Sequence, residues 1–350
     1  MGTLSLSDVI IETHLQYEDV RIWAPWGHIS GRWYGNRTER PILAIHGWLD
    51  NLGTFDTLIP LLPDYLGVLC IDLPGHGCSS RLPPGMHYSM HDYVFIIARV
   101  MKAYKWQKVS LLGHSLGGVL GFLFTALAPH TVDMIISLDI CLPILESPRM
   151  LSGWAPYLEK HLVEEERAEQ SEMHEPPSYT LPQLRSLMAK GSFESVPKEF
   201  AHHLLYRSVA KSQLYPEKYY FSRDGRVKYY VIFPLNRSQG SELARRVKKP
   251  FLIIKASNSP YVSPNSDEAI AILRKENPHF EMHEVAGSHH AHLTNATEVA
   301  KYLVPFIRHH RPPPVSSWSL AGEEANISKK EKRKAQERFF SWNLKRRSKL

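Results

Sequence analysis

The sequence predicts an α/β protein with a mostly parallel central sheet that is covered by helices on both faces. Short apolar runs recur along the chain, and helix-length segments separate them. The runs do not alternate apolar with polar residues, which is typical of parallel strands that are buried on both faces. Such an arrangement favours a doubly wound sheet. Five of the runs end in glycine-rich or polar loops, namely residues 41–47, 67–77, 108–115, 133–140 and 250–257.

Two segments depart from this pattern. Residues 9–37 alternate apolar and polar character around Trp23-Ala24-Pro25-Trp26-Gly27, which predicts an antiparallel hairpin ahead of the parallel strands. Between residues 142 and 247, charged and helix-favouring sequence replaces the strands, so we expect a mainly helical lid inserted over the sheet. Within this segment, "YYFSRDGRVKYY" predicts a second hairpin that turns at Asp224-Gly225.

The predicted core is therefore discontinuous in sequence. Its first part spans residues 1–141, and its second part spans residues 248–311, with the lid at 142–247 between them. After Arg311, the stretch "PPPVSS" breaks the regular pattern and begins a separate tail, residues 312–350.

Composition narrows the functional class. The chain has no run of 18 uninterrupted apolar residues, and its first residues lack the basic start and apolar core of a signal peptide. We therefore expect neither a membrane span nor secretion. The three cysteines, Cys70, Cys78 and Cys141, show neither metal-ligand spacing nor a disulfide framework, which favours a reducing compartment.

Charge is concentrated at one end of the chain. The formal net charge is +7, and residues 323–350 carry ten Lys and Arg against four Asp and Glu. The rest of the chain is nearly neutral, so the sequence does not predict a basic groove for nucleic acid.

Gly113-His114-Ser115-Leu116-Gly117 has the G-x-S-x-G spacing of a nucleophile elbow. The motif alone is a weak signal, but here it follows an apolar run and precedes a small, apolar segment, as a strand–turn–helix elbow requires. The positive N-terminal end of that helix would lie near a developing oxyanion. We therefore predict Ser115 as a nucleophile. The alternative is a glycine-rich packing site between strand and helix.

The segment "HGWLDN", residues 46–51, directly follows the first predicted core strand. A tight turn there would aim the backbone N–H of Trp48 into the site, where it would act with the N–H of Leu116 as an oxyanion hole. His46 and, in the later loop "PGHGCSS", His76 are expected to be architectural.

The segment "VAGSHHAHLTN", residues 285–295, offers three histidines as a general base. His289, after a Gly-Ser turn, is the preferred candidate, and His290 and His292 are the alternatives. A metal site built on His290 and His292 is disfavoured, because no cluster of Cys, Asp or Glu stands beside them in the sequence. We predict no metal and no cofactor.

Four segments in this order, "HGWLDN", "DLPGHGCSS", "GHSLGG" and "GSHHAHL", resemble the α/β-hydrolase superfamily. Within it the chain is similar to the serine hydrolase-like proteins, from about Pro25 to Ile307. The resemblance implies the α/β-hydrolase fold, Ser115 as nucleophile, His289 as base and a lidded pocket for an acyl-type substrate. It implies no particular substrate.

The acid of the triad departs from the usual family pattern. The family usually places it in the loop after the strand predicted at 250–255, but here that loop reads "KASNSPYVSP", with Ser259 at the usual aspartate position. Asp267 and Glu268 lie farther on, in what should be a solvent-facing helix. Some members take the acid from the strand after the nucleophile helix, which here contains Asp139.

A buried Asp139 would need a partner, and the imidazole of His289 can supply one. The order Ser115, Asp139, His289 also matches the order in which α/β-hydrolases carry their triad. The alternative is that Asp139 only caps the end of its strand by bonding to backbone.

The expected function is a serine hydrolase that cleaves small-molecule carboxylic esters or thioesters, acyl or lipid-like, through an acyl-enzyme intermediate. The alternative is a catalytically silent α/β-hydrolase-fold protein that binds a small ligand. A third hypothesis is a scaffold whose tail performs the function.

The tail ends in Ser348-Lys349-Leu350, the address read by the peroxisomal import receptor. We expect a peroxisomal location, with the cytoplasm as the alternative. Residues 328–342 have the spacing of a basic amphipathic helix that would touch an anionic membrane or an acidic partner, and a solvated spacer is the alternative.

Overall fold

Ten strands are present in the described part of the computed structural model, and eight of them form one central sheet. Its strands follow the order β1-β2-β4-β3-β5-β6-β9-β10, and the other two form a separate antiparallel pair, β7-β8. Six neighbouring strands, from β4 to β10, run parallel. The strands are β1 (Tyr17–Ala24), β2 (Gly27–Tyr34), β3 (Ile42–Ile45), β4 (Val68–Ile71), β5 (Val109–His114), β6 (Val132–Leu138), β7 (Val209–Lys211), β8 (Tyr219–Phe221), β9 (Phe251–Ala256) and β10 (Phe280–Val285).

Helices follow most of the parallel strands. The α-helices of the described residues are α1 (Met90–Ala103), α2 (Leu116–Leu127), α3 (Trp154–Glu169), α4 (Leu181–Gly191), α5 (His202–Ser208), α6 (Arg237–Arg246), α7 (Asp267–Glu276), α8 (Ala291–Thr294) and α9 (Ala296–His310). None of these helices combines the length and the hydropathy that crossing a membrane requires.

The structure describes residues 16–142, 154–169, 175–229, 235–262 and 264–314. The described residues up to Pro312 belong to one compact unit, and a second unit begins at Pro313. The targeting residues Ser348, Lys349 and Leu350 and the amphipathic helix expected at 328–342 lie outside the described residues, and so does the start of the N-terminal hairpin segment.

The sheet separates two hydrophobic cores. Ile42 of β3 packs in the core that contains Leu303 of α9, whereas its neighbour Leu43 packs in the core that contains Leu120 of α2. Successive strand residues therefore face opposite helical layers, and both must be apolar. This confirms the doubly wound fold, and the five apolar runs are β3, β4, β5, β6 and β9. The N-terminal hairpin is confirmed as the antiparallel pair β1-β2.

The hairpin predicted at Asp224-Gly225 is wrong. β8 pairs instead with the earlier strand β7, and residues 225–229 form a 3-10 helix. Asp224 is held instead by a buried ion pair, since its Oδ2 lies 2.7 Å from Arg226 Nη2. The same oxygen accepts a hydrogen bond from the Tyr88 hydroxyl at 2.8 Å. The Arg226 guanidinium also donates to the carbonyls of Pro83 and Met86. These contacts hold the segment against the loop before α1, so it does not turn back on itself.

The segment expected to form the lid contains α3, α4, α5, the β7-β8 pair and α6. α5 packs against the loop after β3, since Asn51 Nδ2 donates to the carbonyl of Leu204 at 2.8 Å. α6 instead joins the helices of the main sheet, because Arg246 Nε donates to the carbonyl of Ala126 at the end of α2, at 2.8 Å. The last part of the expected lid therefore packs with the core.

Candidate active site

Ser115 occupies a sharp turn between strand and helix. His114 is the last residue of β5, and Leu116 is the first residue of α2. Ser115 has φ +49° and ψ −116°, a conformation that residues other than glycine rarely adopt and that marks strained functional turns. Its backbone N–H donates to the carbonyl of Leu138 at 3.1 Å, which ties the turn to the end of β6. This is the geometry of a nucleophile elbow.

Glycines on both sides of Ser115 allow this turn. A Cβ atom at Gly113 would lie 2.2 Å from the carbonyl carbon of Gly117. A Cβ atom at Gly117 would lie 2.0 Å from the carbonyl oxygen of Ile45 in β3. The elbow therefore requires glycine at both positions, because backbone segments touch there.

Asp139 directly follows β6, and its carboxylate is buried and well bonded. It has φ +56°, and its backbone N–H donates to the carbonyl of Ile254 at 2.8 Å. Oδ1 accepts from the backbone N–H of Ala256 at 2.8 Å, and Oδ2 accepts from the Ser259 hydroxyl and from His289 Nδ1, the latter at 2.6 Å. The carboxylate therefore binds the imidazole of His289, as expected of a triad acid, and it also accepts from backbone, as expected of a strand cap.

The His289 side chain is 12% exposed and lies between Asp139 and Tyr261. Burial lowers the pKa of His289 below its usual value, although the hydrogen bond with Asp139 acts in the opposite direction. Because a carboxylate only accepts, the neutral ring carries its proton on Nδ1 and has a lone pair on Nε2. The Tyr261 ring lies against the imidazole, tilted by 31°, with ring centroids 3.9 Å apart.

The other two late histidines bind different partners. His290 Nδ1 lies 2.8 Å from the Ser195 hydroxyl, and His292 Nε2 lies 2.9 Å from the Thr54 hydroxyl. Of the three candidates for the base, the structure brings His289 to Asp139.

The "HGWLDN" loop lies beside the elbow because β3 and β5 are parallel neighbours. A Cβ atom at Gly47 would lie 3.2 Å from Cβ of Ser115, so the two turns are in contact. The Trp48 indole N–H donates to the carbonyl of Val227 at 2.7 Å and holds the loop against the 3-10 helix at 225–229. Trp48 and Leu116, the two expected oxyanion donors, therefore belong to two turns that touch.

His46 and His76 have the architectural contacts expected of them. His46 Nε2 accepts from the backbone N–H of Leu73 at 2.9 Å. His76 Nε2 accepts from the backbone N–H of Leu49 at 3.3 Å, and burial lowers the pKa of His76 to about 3, so the ring stays neutral. Both rings hold loops together.

Sequence reasoning missed three residues that contact this site. Ser259 was noted only as a missing acid, yet its hydroxyl donates to Asp139. Tyr261, two residues later, covers the imidazole of His289. Asp50, in the "HGWLDN" loop, is buried with its Oδ2 3.4 Å from His114 Nδ1. The position of Ser259 in the usual acid loop was an available signal, whereas no local pattern pointed to Asp50.

Comparison with known proteins identifies the family of this chain. The family model described as alpha/beta hydrolase fold matches residues 40–296. A probable serine hydrolase of Drosophila melanogaster is 35% identical over 298 residues, which cover 83% of this chain and 88% of that protein. Serine hydrolase-like protein 2 of Homo sapiens is 32% identical over 305 residues, which cover 83% and 94%.

The crystal structure of a hypothetical protein from Pseudomonas aeruginosa PAO1 is also similar, with a TM-score of 0.69 and 26% sequence identity. The alignment covers 83% of this chain and 99% of that one. The chain therefore belongs to the alpha/beta hydrolase fold family and, within it, to the serine hydrolase-like proteins.

Proposed function

We propose that this protein is a serine hydrolase that cleaves carboxylic esters or thioesters of acyl or lipid-like molecules, with Ser115, Asp139 and His289 as its catalytic triad. The observation that carries the proposal is the 2.6 Å hydrogen bond from His289 Nδ1 to Asp139 Oδ2. The carboxylate is fixed by the backbone N–H of Ala256 and stands beside the strand that presents Ser115. A fixed acid orients the imidazole for proton transfer.

The proposed reaction has two steps. The Ser115 hydroxyl attacks the substrate carbonyl while His289 Nε2 takes its proton, and the imidazolium then gives that proton to the leaving alcohol or thiol. Water next attacks the acyl-enzyme, His289 removes one proton from this water, and the Ser115 oxygen leaves and recovers a proton. The products are the free acid and the regenerated enzyme.

The oxyanion of each tetrahedral intermediate is stabilised by the backbone N–H groups of Leu116 and Trp48. Leu116 begins α2, and the first N–H groups of an α-helix have no acceptor within the helix. Aligned peptide dipoles make this end of the helix positive, which favours a developing negative charge.

The rival proposal, a catalytically silent ligand-binding protein, rested on Ser259 in place of the usual acid. The contacts of Asp139 with His289 and with Ser259 supply a carboxylate by another route, and they favour the enzyme.

Covalent labelling by a fluorophosphonate probe distinguishes the two proposals. The folded wild-type protein should be labelled, and Ser115→Ala should abolish the labelling. Ser137→Ala is the matched control, because Ser137 is a buried serine of the adjacent strand β6 whose hydroxyl has no hydrogen-bond partner among the described residues. A folded wild-type protein that remains unlabelled would favour the ligand-binding alternative.

We also propose that the peroxisomal import receptor reads Ser348-Lys349-Leu350. Residues 339–350 fused to a fluorescent protein should give a punctate peroxisomal signal. The same fusion ending at residue 347 should remain diffuse. A diffuse signal from both fusions would contradict the proposal.

A further inference from the structure

Asp50, His114 and His290 form a second cluster behind the elbow. Asp50 Oδ2 lies 3.4 Å from His114 Nδ1 and 3.7 Å from His290 Nε2. The three side chains are 3%, 1% and 11% exposed. They come from three separate parts of the chain, because Asp50 lies in the loop after β3, His114 ends β5, and His290 follows His289.

Two atoms of this cluster are buried without hydrogen bonds. Within the described part of the chain, neither Asp50 Oδ2 nor His114 Nδ1 has a hydrogen-bond partner. The other carboxylate oxygen of Asp50 is satisfied, since it accepts from the backbone N–H of Asn51 at 2.9 Å. A buried carboxylate oxygen without a donor or a cation is strongly unfavourable.

The contacts of His114 define its tautomer. Its Nε2 lies 3.0 Å from the backbone carbonyl oxygen of His289, and a carbonyl only accepts, so Nε2 carries the proton. In the neutral ring the lone pair on Nδ1 therefore faces the Asp50 carboxylate.

The contacts of His290 lead to the same conclusion. The Ser195 hydroxyl has a single proton, which it donates to the carbonyl of Ser192 at 2.6 Å. The Ser195 oxygen must then accept from His290 Nδ1 at 2.8 Å. In a neutral ring this leaves a lone pair on Nε2, again facing Asp50. With both rings neutral, three lone-pair-bearing atoms converge at this point.

We propose that Asp50, His114 and His290 bind a divalent transition-metal cation of the zinc type. Two imidazole nitrogens and one carboxylate oxygen are ligands that Zn²⁺ accepts, with bonds of about 2.0–2.1 Å, so tetrahedral ligand atoms stand roughly 3.3 Å apart. In the structure, Asp50 Oδ2 lies 3.4 and 3.7 Å from the two imidazole nitrogens, and the three ligand atoms all lie within 4.8 Å of one another.

The surroundings also suit such a site. Each imidazole donates its other N–H to an oxygen, His114 to the His289 carbonyl and His290 to the Ser195 hydroxyl. Partners of this kind fix the tautomer and orientation of metal-binding histidines. The cation would neutralise the Asp50 carboxylate and connect the "HGWLDN" loop, the elbow and the loop that carries His289.

From sequence, a metal at His290 and His292 is disfavoured, because no cluster of Cys, Asp or Glu stands beside them in the chain. The fold places Asp50 beside His290. The second histidine of the cluster is His114 and not His292, because His292 Nε2 contacts the Thr54 hydroxyl.

Metal analysis of the purified full-length protein tests the proposal. The protein is supplied with Zn²⁺, passed over a chelating resin and analysed by elemental mass spectrometry. The wild type should retain about one zinc per chain, and Asp50→Asn and His290→Gln should each lose it. Substitution with Co²⁺ should give the intense visible absorption of a tetrahedral site.

Asp56→Asn is the matched control. Asp56 is likewise buried, and its Oδ2 lies 3.2 Å from His203 Nδ1, but it belongs to no three-residue cluster of this kind among the described residues. This variant should keep the zinc, which separates a specific loss from general damage to the fold.

Two results would overturn the proposal. One is a folded wild-type protein that retains no metal and whose ¹⁵N spectrum shows an imidazolium, protonated on both nitrogens, at His114 or His290. The additional proton would then satisfy Asp50 in place of a cation. The other is equal zinc in the wild type and in both cluster variants, which would place the metal elsewhere. Neither readout depends on labelling of Ser115, so this proposal and the proposed hydrolase activity can fail separately.

Discussion

Asp139 is held at the end of β6 by contacts on both carboxylate oxygens, and only one of these contacts is with the imidazole. Replacing it by Asn should keep the fold, because the amide oxygen can still accept from Ala256. The amide no longer offers a charge to stabilise the imidazolium, and kcat should fall by roughly three to four orders of magnitude, as in other serine hydrolase triads. Ester turnover measured beside circular dichroism checks this. Unchanged kinetics would exclude Asp139 as the acid.

Ser259 is the neighbour of this carboxylate that sequence reasoning undervalued. Ser259→Ala removes a donor to Asp139 Oδ2, a bond whose net worth is about 1–1.5 kcal/mol, which corresponds to about a tenfold loss. The loss should appear in kcat with KM nearly unchanged, because the hydroxyl positions the acid. Ser259→Thr keeps the hydroxyl and should restore most of the rate. Equal rates for Ala and Thr would refute this role.

The pKa of His289 determines the pH profile. The ring must be neutral to accept the Ser115 proton, so activity should rise with pH through the pKa of His289 and level off above it. Burial lowers this pKa, so the midpoint of the rise in kcat/KM should lie below the usual value of about 6.5. A cation at Asp50 would lower the pKa of His289 further, so the predicted shift of the midpoint to lower pH would not change. A midpoint at neutral or higher pH contradicts the assignment.

A residue of the site could be predicted from the sequence only where a short local pattern marked it. Ser115 and His289 stand in short motifs with a strand context, and Asp139 was found as a charged residue among apolar neighbours. The contact between Asp50 and His290 joins distant parts of the chain. No local pattern encodes it, because the parallel order of the strands creates it.

At the scale of elements, strands with both faces covered were predictable, since burial on both sides demands continuous apolar sequence. The hairpin at Asp224 failed for the opposite reason. Asp-Gly is a local turn signal, but the ion pair with Arg226 and the bond from Tyr88 are tertiary contacts that outweighed it.

The contact between the start of α2 and the end of β3 makes a specific prediction. Gly117→Ala places a Cβ atom 2.0 Å from the carbonyl oxygen of Ile45, so the helix must shift away from the strand. Overpacking of this kind lowers the free energy of unfolding by about 1–3 kcal/mol, and the displaced elbow should lose fluorophosphonate labelling. Denaturant unfolding measures the first effect.

Gly121→Ala is the control in the same helix. The nearest atom to its new Cβ lies 3.5 Å away, and alanine favours helix by up to about 1 kcal/mol over glycine. This variant should be as stable as the wild type or more stable, with labelling retained. Similar losses in the two variants would show that the close approach at Gly117 is not the cause.

At the scale of the whole molecule, the nearly neutral body and the basic tail should have separable roles. A chain truncated after Pro314 keeps Arg311, whose Nη2 donates to the carbonyl of Arg40 at 2.7 Å. The truncated protein should hydrolyse esters with an unchanged kcat/KM and should no longer enter peroxisomes. Loss of the protein's function on truncation, with Ser115→Ala leaving that function intact, would favour the scaffold hypothesis.

Trapping the acyl-enzyme tests the central claim most directly. The wild-type protein is mixed with a p-nitrophenyl acyl ester, quenched in acid and digested, and the peptide that contains Ser115 is analysed by mass spectrometry. The account predicts that this peptide gains the mass of one acyl group, and that Ser115→Ala shows neither the gain nor turnover. Turnover without an acyl group on Ser115, or a folded wild type that shows neither, would contradict it.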